Sequence, residues 1–436
     1  MNDDAAPARP LLRRVARALT LLMVLMAFGL SAMTLTATGV KYDQPGGSFL
    51  QKMHPATWTA ALALAANILW RPDRFAYLAG LPVRFPGMAY FAAMWAMMVL
   101  FASVVQHAPV TPLIDTFFCA VAFLVLYTDA DAPLRRTIRI ALHALLFVNA
   151  CVGIGEFLTH SRLTPFVTGG KAILHDYRST AILGHPLINA AVSAAYALML
   201  FFGGDRSIGW PLRVALVLVQ AAALVTFGGR TAIVLCVALA ALGTIRPAAE
   251  VLGGRRYDMR IAVLLALTAP LLATAIILAV DSGRLDAFIE RFSDDKGSTE
   301  ARVVMFQLFD YFSIEEILLG PDPERLATLQ NTLGIEYGIE NSWLGFLFQY
   351  GALESIFFIT GFLALVWELW RRARSSATLL IVFLLIQVSS AAGISVKSFM
   401  FNQFAIMLLA IFGRARADEV VAPQGSLAQA FVPRRA

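Results

Sequence analysis

Charge is what this sequence has least of: only 15% of its 436 residues are Asp, Glu, Lys or Arg, against 58% hydrophobic. So few charges cannot clothe a water-soluble chain of this length, and the solvent for most of it must be lipid. Cysteine is scarce too. Cys119, Cys151 and Cys236 lie inside apolar runs at unpaired spacings, which excludes a disulfide framework or zinc site and leaves them as small core residues. Also missing are a Gly-rich phosphate loop ending in Lys-Ser or Lys-Thr, a His-Glu-x-x-His helix and a Gly-x-Ser-x-Gly elbow. There is no internal repeat and no low-complexity segment. The formal charge of +6 comes from short basic clusters between apolar stretches, not from one continuous face, so nucleic acid is excluded as a partner.

What is abundant is apolar runs. A membrane-crossing helix needs about 20 mostly apolar residues, and on that basis the spans are expected near 18–38, 55–70, 87–106, 111–127, 138–158, 182–202, 211–227, 231–245, 261–280, 343–367, 376–394 and 398–413. Arg13, Arg14 and Arg17 ahead of an apolar run, with Thr36-Ala37-Thr38 after it, have the outline of a signal peptide. The run is long enough to span, so it is read as an uncleaved first helix. The expected fold is an all-α polytopic membrane protein of about 12 transmembrane helices. Residues 1–416 form a single domain, and 417–436 are a short disordered tail.

Basic residues set the orientation. With the N-terminus cytoplasmic, 23 of the 35 basic residues fall in cytoplasmic segments, and all 23 are arginines. The other twelve are all five lysines with Arg162, Arg178, Arg230, Arg284, Arg291, Arg302 and Arg325. Two outer loops are long, 159–181 and 281–342, and the second exceeds what a mere connection needs. Within it Ser298 can cap a helix continuing through the apolar stretch from Val303 to Leu319 at the membrane surface. Asp322-Pro323-Glu324 signals another helix start.

Four features share the outer side: Tyr177-Arg178 with Gly184-His185-Pro186, the tight turn Gly228-Gly229-Arg230-Thr231, Arg302, and Glu340-Asn341-Ser342. Arginine suits phosphate at a membrane surface, because its planar fork donates bidentately and stays charged. Three arginines can hold a diphosphate without a metal ion. Each residue also has a plainer reading. Arg230 can be an interfacial arginine snorkelling from a helix end, Arg178 and Arg302 solvated loop residues, and His185 a turn residue at a helix start. Glu340 can be a helix N-terminal charge; as a general base it needs desolvation, since an ordinary Glu titrates near pH 4.3. Asp115, Glu156 and Glu354 are costly inside a membrane; the first two sit near outer helix ends, where they can support a pocket. Asp129-Ala130-Asp131 is read as a short cytoplasmic turn, not a metal–nucleotide site.

In their order and placement these motifs resemble the O-antigen ligase and O-antigen polymerase superfamily of bacterial membrane glycosyltransferases. The matching positions are Arg178 with Gly184-His185-Pro186, Gly229-Arg230-Thr231-Ala232, Arg302 ahead of an aromatic-rich stretch ending in Leu319-Gly320-Pro321, and Glu340-Asn341 followed by Gly351. They cover the region from Arg178 to the tenth helix. The resemblance implies a helical periplasmic loop between helices 9 and 10 and a polyprenyl-diphosphate-linked oligosaccharide as substrate. It implies that Arg178, Arg230 and Arg302 hold the diphosphate, that Glu340 activates or orients an acceptor hydroxyl, and that His185 and Asn341, with Tyr177 and Thr231 beside them, help bind substrate. No cofactor is expected; a flippase and a chain-length regulator are expected partners by analogy, in the inner membrane. Glu340 stands where ligases commonly carry histidine, which favours repeat-unit polymerase over ligase. A polysaccharide or ion transporter is the alternative of another class, and it favours broken helices at the bilayer midplane in related halves.

Overall fold

The computed structural model describes residues 10–44, 46–168, 171–173, 178–254, 298–335, 338–374 and 376–414. The expected ninth span at 261–280, Tyr177, and the tail 417–436 lie outside the described residues.

Apolar runs become helices because a segment in lipid must satisfy its own backbone groups. They are α1 (Pro10–Gly29), α2 (Ala32–Ala37), α3 (Pro55–Leu69), α4 (Arg74–Arg84), α5 (Pro86–Leu100), α6 (Thr111–Asp129), α7 (Ala132–Thr159), α8 (Pro186–Phe201), α9 (Trp210–Phe227) and α10 (Arg230–Leu252). After the undescribed stretch come α11 (Ser298–Tyr311), α12 (Ile314–Leu319), α13 (Pro323–Thr332), α14 (Ser342–Arg372), α15 (Ala377–Ser389) and α16 (Met400–Phe412). Among the described residues five helical segments are long and apolar enough to cross a membrane: 86–105, 111–129, 132–159, 210–227 and 342–372. Many starts are marked by proline in the first turn, as at Pro55, Pro86, Pro186 and Pro323, where the missing N–H costs nothing. The only strands among the described residues are a two-residue antiparallel pair, β1 (Val167–Thr168) with β2 (Lys171–Ala172).

Several boundaries differ from the sequence expectation for identifiable reasons. The first helix begins at Pro10, so Arg13, Arg14 and Arg17 ride on it, and it breaks at Leu30-Ser31, where Ser31 caps α2. The loop after α3 contains an unexpected helix, α4, started by Asp73, whose carboxylate accepts from the Ala76 amide at 2.8 Å. The stretch from Val303 to Leu319 is two helices, because Ser313 forms a reciprocal capping box with Glu316 and starts α12. Asp322 caps α13 as expected.

The helix ends gather into two faces. At one, Arg17 pairs with Asp131, Arg71 and Arg84 pair with Asp129, and Arg139 and His143 reach Asp205. Asp129 also accepts from Tyr77 Oη and Asn67 Nδ2, so its oxygens are fully occupied, as a structural turn requires. Burial raises the Asp205 carboxyl, but hydrogen bonds from His143 and Ser207 outweigh it and hold the group well below the usual carboxylate range. At the opposite face Asp115 accepts from Tyr42 Oη at 2.9 Å, Thr57 Oγ1 at 2.7 Å and the His54 amide at 3.0 Å. Lys397 approaches the same carboxylate at 3.9 Å and donates to the Tyr42 and Lys52 carbonyls. Between the faces α16 is buried along its whole length. Its Asn402 donates to the Asp115 carbonyl and accepts from the Ala120 amide, locking it to α6.

α14 is not one straight rod. At Gly351 the backbone takes φ 81 and ψ 163, and the chain turns back on itself. Phe346 lies 4.7 Å from Phe358 and Trp343 lies 6.0 Å from Phe362, ring centre to ring centre. Residues 342–350 therefore form a re-entrant arm alongside the crossing arm 352–372. The Leu318–Gly320 backbone fills the outside of the turn, and Gln106, just past a π-helical turn at Phe101–Val105, donates to the Gln349 carbonyl at 2.8 Å.

Candidate functional site

The face opposite the arginine-rich one carries Arg178, His185, Arg230, Thr231, Glu340 and Asn341. The segment 178–185 is bolted down by polar groups that α7 and α8 project from otherwise apolar helices. Glu156 accepts three backbone N–H groups: Leu163 at 2.7 Å on the outgoing arm of the loop, Thr180 at 2.8 Å and Ala181 at 2.9 Å on the returning arm. One turn-pair earlier, Asn149 accepts from the Ile182 and Leu183 amides and donates to Asn189, which itself donates to the Thr180 carbonyl. A carboxylate and two amides thus satisfy backbone that has no secondary structure of its own. The cost of burying the Glu156 charge is offset by three charge-assisted hydrogen bonds.

This fastening presents Arg178 and His185 around Phe166. The Arg178 guanidinium carbon is 5.9 Å from the Phe166 ring centre, that of Arg162 is 5.7 Å away, and the His185 ring meets it edge-on at 5.3 Å. His185 also caps α8, its Nδ1 accepting from the Leu187 amide at 3.2 Å. The Ser179 amide donates to the Thr226 carbonyl at 3.1 Å, which ties the segment to the last turn of α9. Gly228 then adopts φ 63 and ends α9, and Gly229 packs so closely on Ala190 that an added Cβ would come within 2.4 Å. Arg230 and Thr231 follow directly as the first residues of α10. Arg178, His185 and Arg230 are thus brought to one corner by α7, α8, α9 and α10.

Glu340 and Asn341 stand at the tip of the re-entrant arm. Asn341 Oδ1 accepts from the Trp343 and Leu344 amides, capping the arm. Ser342 Oγ donates to the Ala391 carbonyl and accepts from the Ile394 amide, and Trp343 Nε1 donates to Ser389 Oγ. The arm's reversal sets Glu340 down among the helix ends, not above them. α11, α12 and α13 pack on the re-entrant arm with their own apolar cluster, where Met305, Leu308 and Leu326 meet Phe348. Arg302 lies in the first turns of α11; its backbone alone is described.

Phe166, Arg162 and Asn149 are contributions that sequence reading did not assign to the site, whereas Glu156 was read there as a carboxylate near an outer helix end that can support a pocket. Asn149 and Glu156, seven residues apart on one face of α7, are a polar pair in an apolar helix that was visible in principle. Among the described residues no three His, Cys, Asp or Glu side chains gather as a metal site.

By helix length and apolar character this is a helical membrane protein. No family model matches the chain, and no curated protein matches its sequence.

Proposed function

We propose that this protein is a membrane glycosyltransferase that polymerises polyprenyl-diphosphate-linked oligosaccharide repeat units at the face opposite its arginine-rich one. The observation that carries the reading is the corner at which a buried Glu156 clamp presents Arg178 beside His185 and the Arg230 turn. Guanidinium groups at a membrane surface are suited to a lipid diphosphate, whose developing charge they neutralise as it leaves. The acceptor hydroxyl oxygen forms a bond to the anomeric carbon, the bond from that carbon to the diphosphate oxygen breaks, and the diphosphate departs with the electron pair. The hydroxyl proton passes to Glu340. A single displacement of this kind inverts the anomeric centre and draws its energy from the donor.

The finer topology belongs to the same proposal: twelve crossings, both termini cytoplasmic in a bacterial inner membrane, and the candidate site periplasmic. It is supported by the clustering of arginines at one face and by the described chain ending at that face at Gly254 and resuming at the other at Ser298. A flippase and a chain-length regulator are partners proposed by analogy. A ligase uses the same corner with a different acceptor. Purified protein in liposomes with lipid-linked repeat units tests the choice. Longer lipid-linked chains are expected; transfer only to an added lipid A core identifies a ligase, and no transfer to either overturns the reading.

A further inference from the structure

α4 presents a face that no part of the chain covers among the described residues. None of its residues is buried. Tyr77 and Leu81, one turn apart, turn inward onto the core, and Tyr77 Oη donates to Asp129 at 2.5 Å. Between the terminal Arg74 and Arg84, the rest of the surface is Phe75, Ala76, Leu78, Ala79, Gly80, Pro82 and Val83, without one polar side chain. Phe75 is 85% exposed and Val83 83%, values no water-facing helix holds cheaply. On α3, Leu62 at mid-helix is 59% exposed and belongs to the lipid-facing belt.

Charge frames the patch. Arg71, Arg74 and Arg84 border it with Asp73 and Asp129, Arg13 and Arg17 line the neighbouring cleft with Asp131, and Arg372, paired with Glu368, donates to the Arg84 carbonyl. Arg71 and Arg84 are bound to Asp129 and Arg17 to Asp131, while Asp73 caps the helix. Arg13 instead lies 5.5 Å over Trp70, on a cleft lined by Arg17, Asn67 and Asp131, and Arg74 is exposed.

We propose that α4 lies in the plane of the arginine-rich membrane face and binds anionic phospholipid. Acyl chains cover Phe75, Leu78 and Val83, and the phosphates lie at Arg13 and Arg74. An apolar helix face flanked by guanidiniums at a bilayer edge meets both requirements of such a lipid. Independent of any glycan chemistry, the site predicts a preference of roughly fivefold for anionic over zwitterionic head groups per arginine engaged.

The test places photoreactive benzoylphenylalanine at Phe75, or at Leu62 as a control on the lipid belt, in full-length protein. Each is reconstituted in nanodiscs of equal phosphatidylglycerol and phosphatidylethanolamine and irradiated, and the adducts are identified by mass. Phospholipid adducts enriched several-fold in phosphatidylglycerol at Phe75 but not at Leu62, with the enrichment lost in the Arg13→Gln/Arg74→Gln double variant, are expected. Adducts to a second copy of the chain, no adduct, or equal head-group use at both positions overturns the proposal.

Discussion

The rings of Trp343 and Phe362 stand 6.0 Å apart, where an unbroken helix would separate residues nineteen positions apart by about 28 Å. That contact fixes the reversal at Gly351, and the reversal decides where Glu340 is placed. Without it the Glu340–Asn341 pair would stand well above the end of α15 and the segment after it, to which Ser342 and Trp343 are bonded.

Gly351→Ala tests the reversal. Its φ of 81 favours glycine, and a Cβ there would meet the Gly320 nitrogen at 2.4 Å and the Leu318 oxygen at 2.6 Å. The substitution should cost at least ~1–3 kcal/mol from backbone strain alone, read as a lowered thermal midpoint in detergent. Gly155→Ala on α7, which meets nothing within 4 Å, should leave the midpoint level or raise it.

Glu156→Gln should loosen the loop while keeping the bundle. The amide keeps one accepting oxygen where the carboxylate takes three N–H donors, a local loss of ~1–3 kcal/mol. Hydrogen exchange at Leu163, Thr180 and Ala181 should accelerate by roughly tenfold or more. Unchanged protection of those amides would mean the clamp is dispensable.

Much of the bundle was legible because lipid forces apolar runs into helices, and eleven of the twelve expected runs coincide with described helices. What was not legible has physical causes. α4 escaped because Arg71, Arg74 and Arg84 made its stretch read as a loop, although Asp73 is an ordinary cap. The reversal at Gly351 escaped because hydropathy runs straight through it, and only the Leu318–Gly320 backbone lodged in the turn explains why a glycine stands there. At the candidate site Arg178, Arg230 and Glu340 could be named from residue type and order. Phe166 could not, since a phenylalanine in an outer loop carries no chemical signal until two guanidiniums and an imidazole surround it.

Acid should destabilise the face that carries Asp115. His54 is buried, which pulls its pKa from 6.5 down to about 4, against the raising effect of its bond to the Leu30 carbonyl. Its Nδ1 accepts from the Ala56 amide at 3.1 Å and its Nε2 donates to Leu30, so the neutral ring is the form that fits. Between pH 6.5 and 4 the unfolded chain binds this proton and the folded one does not, so stability falls as pH falls through that window and is level above it. The full effect is ~3 kcal/mol. Thermal midpoints of wild type and His54→Gln across pH 4 to 7.5 check this: the variant should lose that part of the slope.

The most direct measurement of the proposed glycosyl-transfer role is the surface and lipid-linked glycan of cells carrying Arg230→Ala or Arg230→Lys, run on a gel after membrane levels are matched. Normal protein levels with polymer lost and single lipid-linked repeat units accumulating are expected for both variants, because a lysine lacks the bidentate fork. Polymer of unchanged length and amount in both would contradict the assignment and leave Arg230 an interfacial anchor at the start of α10.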